Sequence, residues 1–217
     1  MIFIFEWYIA PGAILFPLVF AIINYKRLSK SLKTILFFLI FIAIANTIMT
    51  VLNMKSINNL FLVHIYTVFE FAFLSWFYKL QLKGLAGKII PVLIVLFTLL
   101  CLVNYFFIQK SDQSNTYTRS IEAIIIIGYC ILLFSKQSLA ENGIPWRKIS
   151  VNWINVGVLI YYSGCFFTFV FMNYLMKASH FINHIVWGAM DTLLMFEYIL
   201  FAVGFYQCKK QLITSSY

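Results

Sequence analysis

The sequence predicts an all-α membrane protein: a seven-transmembrane helix bundle that fills residues 1–217 as a single transmembrane domain, N-terminus outside and C-terminus cytoplasmic. Three observations predict it. The 217 residues are 63% hydrophobic and only 11% charged, with a mean hydropathy of +0.91, whereas soluble domains sit near half apolar and a quarter charged. Apolar runs recur at about 20 residues, the length an α-helix needs to cross the hydrocarbon core. The basic residues between those runs alternate in density, as cytoplasmic and external loops do.

The first run, 3–24, carries Pro11, Gly12 and Pro17, which predict an interrupted helix. Glu6 and Trp7 precede it without a basic leader, so it reads as a retained helix rather than a signal peptide. Runs follow at 34–53, 60–78 and 89–108. The fifth, 120–135, is the shortest, bracketed by Ser120 and Ser135. The sixth, 150–172, holds Gly157, Ser163 and Gly164, small residues that let helices approach closely. The seventh, 181–206, ends before Lys209 and Lys210. Trp7, Tyr8, Trp76, Tyr78, Tyr105, Tyr117, Trp146 and Tyr206 fall near run ends, where amphipathic rings anchor at headgroups. The segments 109–119 and 136–148 read as polar loops, the second turning at Asn142-Gly143 and Pro145.

Twelve of the sixteen Lys and Arg residues fall in the first, third and fifth loops and the tail; Lys55, Lys110, Arg119 and Lys177 fall on the other side. The positive-inside rule makes the twelve cytoplasmic. The net charge of +9 therefore orients the chain and meets anionic lipid, so the lipid bilayer is its medium and no nucleic-acid partner is expected. A bacterial inner (cytoplasmic) membrane is the expected location. Cys101, Cys130, Cys165 and Cys208 are single, without a CxxC pair, and read as packing residues rather than disulfides.

Ionisable side chains inside apolar helices are costly and mark partners or wet cavities. The seventh run holds His184, Asp191 and Glu197, with His180 at its mouth; the third holds His64 and Glu70, with Tyr66 one turn before Glu70. With the stated orientation His64, Glu122, His180 and His184 lie near the outer boundary, and Glu70 and Asp191 about 15 Å deeper. That clustering predicts a polar pocket open to the outside. Tyr66, Glu70, Glu122, Asn155, His184 and Asp191 are its ligand-binding candidates. With no intramembrane Lys or Arg expected nearby, Glu70 is either a ligand contact and proton acceptor or a neutral acid bonded to Asn46, Tyr66, Asn155 or Tyr162. On the seventh helix His180, His184, Trp187, Asp191 and Tyr198 share a stripe that omits Glu197. Histidines at i and i+4 can share a metal, so His180 and His184 with His64, Asp191 or Glu122 form a candidate zinc set; the other reading is two interfacial histidines bonded to neighbours.

The histidine pair HxxxH resembles that of the intramembrane ceramidase and adiponectin-receptor-like hydrolases, over one turn at His180 and His184. The Ser and His that family carries on its second helix have no counterpart in 34–53. The segments NNLFLVHIYTVFEF (58–71), NTYTRSIEAIIII (115–127), WINVGVLIYYSGCFFTFVFMNYL (153–175) and INHIVW (182–187) resemble a group of uncharacterised seven-helix membrane proteins of Bacteroidetes-type bacteria. Genes of that group often accompany two-component signalling genes, so the resemblance implies a sensory role and a cytoplasmic signalling partner. It also implies polar positions at Glu70, Glu122, Asn155, Ser163 and His184, and Asn rather than Asp at 191.

The expected function is thus a receptor-like or signal-transducing module with an outward-facing polar pocket, and no particular reaction is expected. The alternatives are a metal-dependent intramembrane lipid hydrolase, in which zinc-activated water is the nucleophile, a small-solute transporter, and a membrane effector of phage defence.

Overall fold

A computed structural model describes residues 9–109, 113–138 and 145–214, with side chains undescribed at 138, 180 and 209–214. Among them there are helices and turns, and no strand. Glu6, Trp7, Tyr8, Lys110 and the Asn142-Gly143 turn lie outside the described residues.

Six helices are long and apolar enough to cross a membrane, and a shorter apolar helix precedes them. The short one, α1 (Ala10–Ile23), is broken by a turn at Ala13 and Ile14, between two prolines as expected. Next come α2 (Lys30–Met54), α3 (Leu60–Gln81) and α4 (Leu85–Val103), the last prolonged by a π-helical turn at Asn104–Ile108. Then follow α5 (Thr116–Ser138), α6 (Ser150–Leu175) and α7 (His180–Thr214).

Local chemistry explains the ends. Ser29 caps α2, its hydroxyl accepting from the Leu32 N–H at 3.4 Å. Between α2 and α3, Asn59 Nδ2 donates to the Met49 carbonyl at 2.9 Å. The tight α3–α4 connection turns at Gly84, whose φ of 76° favours glycine.

The helices close a ring in which α3 touches α2, α4 and α5, α5 touches α6, α6 touches α7, and α7 touches α1. The α6–α7 seam is built on glycine. A Cβ on Gly157 would sit 3.1 Å from the Phe201 ring, one on Gly164 2.7 Å from Leu193, and one on Gly204 3.0 Å from the Ser150 carbonyl oxygen. At Gly157 and Gly204, which also meet facing backbone, a side chain would force these helices apart, whereas at Gly164 only the end of the Leu193 side chain would have to move. Ser163, expected to share this role, is exposed and returns its hydroxyl to its own helix at Leu159. Large apolar side chains point outward along the bundle, among them Phe16 and Ile22 on α1, Leu96 and Leu99 on α4, and Phe167 and Phe171 on α6. Such a surface is stable in lipid and a liability in water.

Two expectations need correcting. Tyr78 is no headgroup anchor: it is fully buried, its hydroxyl donating to Asn155 Oδ1 at 2.9 Å. And 113–119 is not an extended polar loop. Helix α5 begins at Thr116, which makes that helix full length and carries Arg119 into the bundle.

Candidate functional site

Polar side chains are drawn inside at the start of α5 because they satisfy one another. Asn173 on α6 reads the Ser114 backbone twice, its Oδ1 accepting from the N–H at 3.1 Å and its Nδ2 donating to the carbonyl at 3.0 Å. Asn115 Nδ2 donates to Thr67 Oγ1 on α3 at 2.7 Å. Gln109 Nε2 donates to Thr116 Oγ1 at 2.7 Å, and Asn104 Nδ2 to Gln109 Oε1 at 3.1 Å. These bonds fix register, while Asn104 Oδ1 and Asn115 Oδ1 are left buried without a protein partner. The bonds pin the first turn of α5 between α3, α4 and α6.

One turn further on, Arg119 points into the bundle. Its Nη1 donates to Glu70 Oε2 on α3 and lies 3.4 Å from Glu122 Oε2 on its own helix. The Tyr66 hydroxyl donates to Glu70 Oε1 at 3.4 Å, and that of Tyr162 to Glu122 Oε1 at 3.5 Å. The guanidinium carbon stands 4.5 Å from the centre of the Phe169 ring, a cation–π contact. Glu70 and Glu122 are 3% and 0% exposed, so their carboxyl oxygens meet the guanidinium rather than water. Arginine suits this position because its planar fork serves several acceptors and never loses its charge. An intramembrane cation therefore stands beside Glu70 after all, and Glu122 is part of the same buried cluster.

The cluster forms one wall of a cavity of about 300 Å³ bounded by α2, α3, the start of α5, α6 and α7. Arg119, Tyr66, Asn115, Asn46 and Asp191 supply its polar surface. Met49, Met172, Met176 and Met190 supply much of the rest, and methionine adapts to varied apolar shapes. A largely apolar pocket with a few convergent polar groups is the usual form of a small-molecule site.

The residues singled out in the sequence divide. Tyr66, Glu70 and Glu122 converge on Arg119. Asp191 reaches the same cavity together with Trp187 and Tyr198, as their shared stripe on α7 requires. His184 is half-buried and is not among the residues lining that cavity. Asn155 lies elsewhere: its Nδ2 donates to the Cys130 carbonyl at 3.2 Å, beside Tyr78. His64 faces α4, edge-on to Tyr105 with ring centres 5.1 Å apart, and its Nε2 is 3.3 Å from the Gln113 carbonyl oxygen. The side chain of His180 lies outside the described residues. Among those described, no three His, Cys, Asp or Glu residues lie close enough to hold a metal ion, and His64 and Asp191 occupy different faces of the bundle.

Sequence reasoning passed over Arg119. Its signal was the pattern Asn115-Thr116, an N-cap and first helical residue, with Glu122 three places after Arg119 on the same face. No protein-family model, no curated protein and no solved structure matches the chain.

Proposed function

We propose that this chain is a receptor-like, signal-transducing protein of the cytoplasmic membrane that binds a small amphipathic molecule in the cavity beside Arg119. One observation carries the reading: a cavity of about 300 Å³ whose walls are mostly apolar and into which a few polar groups converge, the Arg119 guanidinium among them. The ligand's apolar body rests against the methionines, and its polar head meets Arg119, Asn115 and Asn46. With the basic loops cytoplasmic, the cavity lies toward the external face and the N-terminus is outside. The opposite end, with exposed Arg27 and Lys30 and with Lys79 stacked on Trp76, then offers a basic surface to an acidic cytoplasmic partner.

The test is a thermal-shift screen of the purified protein against medium-chain carboxylates, alcohols and amines. One class should raise the melting temperature of the wild type and fail with Met190→Trp, which fills the cavity. No shift with any class would overturn the reading. Small-solute transport is a second reading, favoured by the polar groups that continue below the cavity toward the basic end.

A further inference from the structure

Glu197 on α7 is a buried acid that the ligand cavity does not use. It is 5% exposed, and among the described residues nothing donates a hydrogen bond to its carboxyl. An unpartnered carboxyl inside a membrane bundle is costly to keep unless it has work to do. The titratable and charged groups near enough to act on it electrostatically are Glu70 and Tyr78 on α3, Arg119 and Cys130 on α5, Tyr161 and Cys165 on α6, and Tyr198 on its own helix. The helix on its remaining side, α1, has no titratable residue from Ala10 to Ile23.

Its level is set by Gly157, where a Cβ would lie 3.3 Å from the Glu197 carbonyl oxygen. Toward the cavity stands the Arg119 cluster. Two residues from Gly157, toward the basic end, is Asn155, which accepts from the Tyr78 hydroxyl, itself 3.0 Å from Cys130 Sγ. Beyond them the Ser75 and Tyr129 hydroxyls lie close to each other, and Asn152 Oδ1 is buried without a protein partner, the kind of group that holds ordered water in protein interiors. Asn152 is one turn from Asn155, and Ser150 beside it lines a groove of about 420 Å³ opening among Gln81, Arg27 and Lys30. Polar groups that can hydrogen-bond, or hold water that carries a proton, thus run from the cavity to a second opening at the other end.

We propose that Glu197 is a proton-carrying group on this path, and that the protein moves protons across the membrane along it. The Glu197 carboxylate takes a proton arriving from the cavity side and becomes a neutral acid. It then releases that proton toward water and hydroxyls around Tyr78 and returns to the carboxylate. Nothing else is gained or lost. At the entrance the Arg119 charge is offset by Glu70 and Glu122, so no bare positive charge stands there to exclude protons. The proposal does not depend on what the cavity holds.

The experiment uses the full chain in phospholipid vesicles enclosing potassium and a pH-sensitive dye. Valinomycin makes the interior negative, and acidification is followed without added ligand. Wild-type vesicles should acidify faster than protein-free ones, Glu197→Gln should slow the protein-dependent rate at least tenfold, and Tyr78→Phe severalfold. Gly128→Ala, whose Cβ meets open space, should leave it unchanged. In infrared spectra taken across a pH titration, one pH-dependent component of the carboxylic C=O absorption should be lost in Glu197→Gln while those of the other buried acids stay, a change that mere misfolding does not produce selectively. A wild-type rate equal to that of empty vesicles overturns the proposal, as does a wild-type rate in Glu197→Gln. Should Glu197→Gln fail to fold, a wild-type rate in Tyr78→Phe overturns it.

Discussion

At the scale of single residues, Arg119 decides most. Taking a guanidinium and two carboxyls out of water costs several kcal/mol per ion, and their attraction repays this only when geometry is good and spare hydrogen bonds are filled. Here the spare oxygens of Glu70 and Glu122 accept from Tyr66 and Tyr162, while Phe169 faces the guanidinium. Removing one partner strands the other. Arg119→Met should therefore lower unfolding free energy by about 3–5 kcal/mol, and Arg119→Met with Glu70→Gln should recover a good part of it. Denaturant melts in detergent of the single and double variants measure this, and strictly additive losses would show that the two groups do not act as a pair. The same residue marks how far the candidate site was legible. Glu70, Tyr66, Glu122 and Asp191 stood out because charges and phenols inside apolar runs are conspicuous. Arg119 did not, since a basic residue at the edge of a polar stretch reads as loop until its neighbours are known. Glu197 was set aside because it lies off the stripe shared by Asp191 and Tyr198, yet in a closed ring of helices the far side of a stripe is buried as well.

Among the elements, the long apolar helices were legible because lipid allows so few backbone solutions: a spanning segment must bond its own amides, and its length follows from the membrane. The start of α5 was not, and the reason is physical. Ser114, Asn115 and Thr116 look like a loop by composition, but Asn173, Thr67 and Gln109 supply partners that no reading along one helix can see. Asn173→Ala should cost about 1–3 kcal/mol, the usual penalty for stranding buried polar groups, and should speed hydrogen exchange at the first turn of α5 more than elsewhere. The α6–α7 seam gives a second test at this scale. Gly204→Leu must displace Ile154 or the Ser150 backbone and should lower stability by about 1–3 kcal/mol through overpacking. At Gly128 a Cβ meets nothing within 4 Å, so Gly128→Leu should leave the melting temperature unchanged. Equal effects at both glycines would mean that the seam does not depend on close approach.

For the whole molecule, the question is which way it sits in the film. With Arg119 drawn into the bundle, it no longer counts among the loop charges, and Lys55, Lys110 and Lys177 are left against the twelve basic residues of the other loops and the tail. The asymmetry is steeper than the sequence alone suggested. Positive loops are retained in the cytoplasm because translocating them costs more than leaving them. The turn between α2 and α3 should accordingly face outside, and the turn between α3 and α4 inside. Both are short and exposed at Ser56 and Lys83, whereas the four native cysteines are buried and free, so introduced thiols can be read against a quiet background. In intact cells a membrane-impermeant maleimide should label Ser56→Cys and spare Lys83→Cys, and permeabilised cells should label both. The reversed pattern would put the cavity beside Arg119 on the cytoplasmic side, so that any molecule it binds would have to come from within the cell.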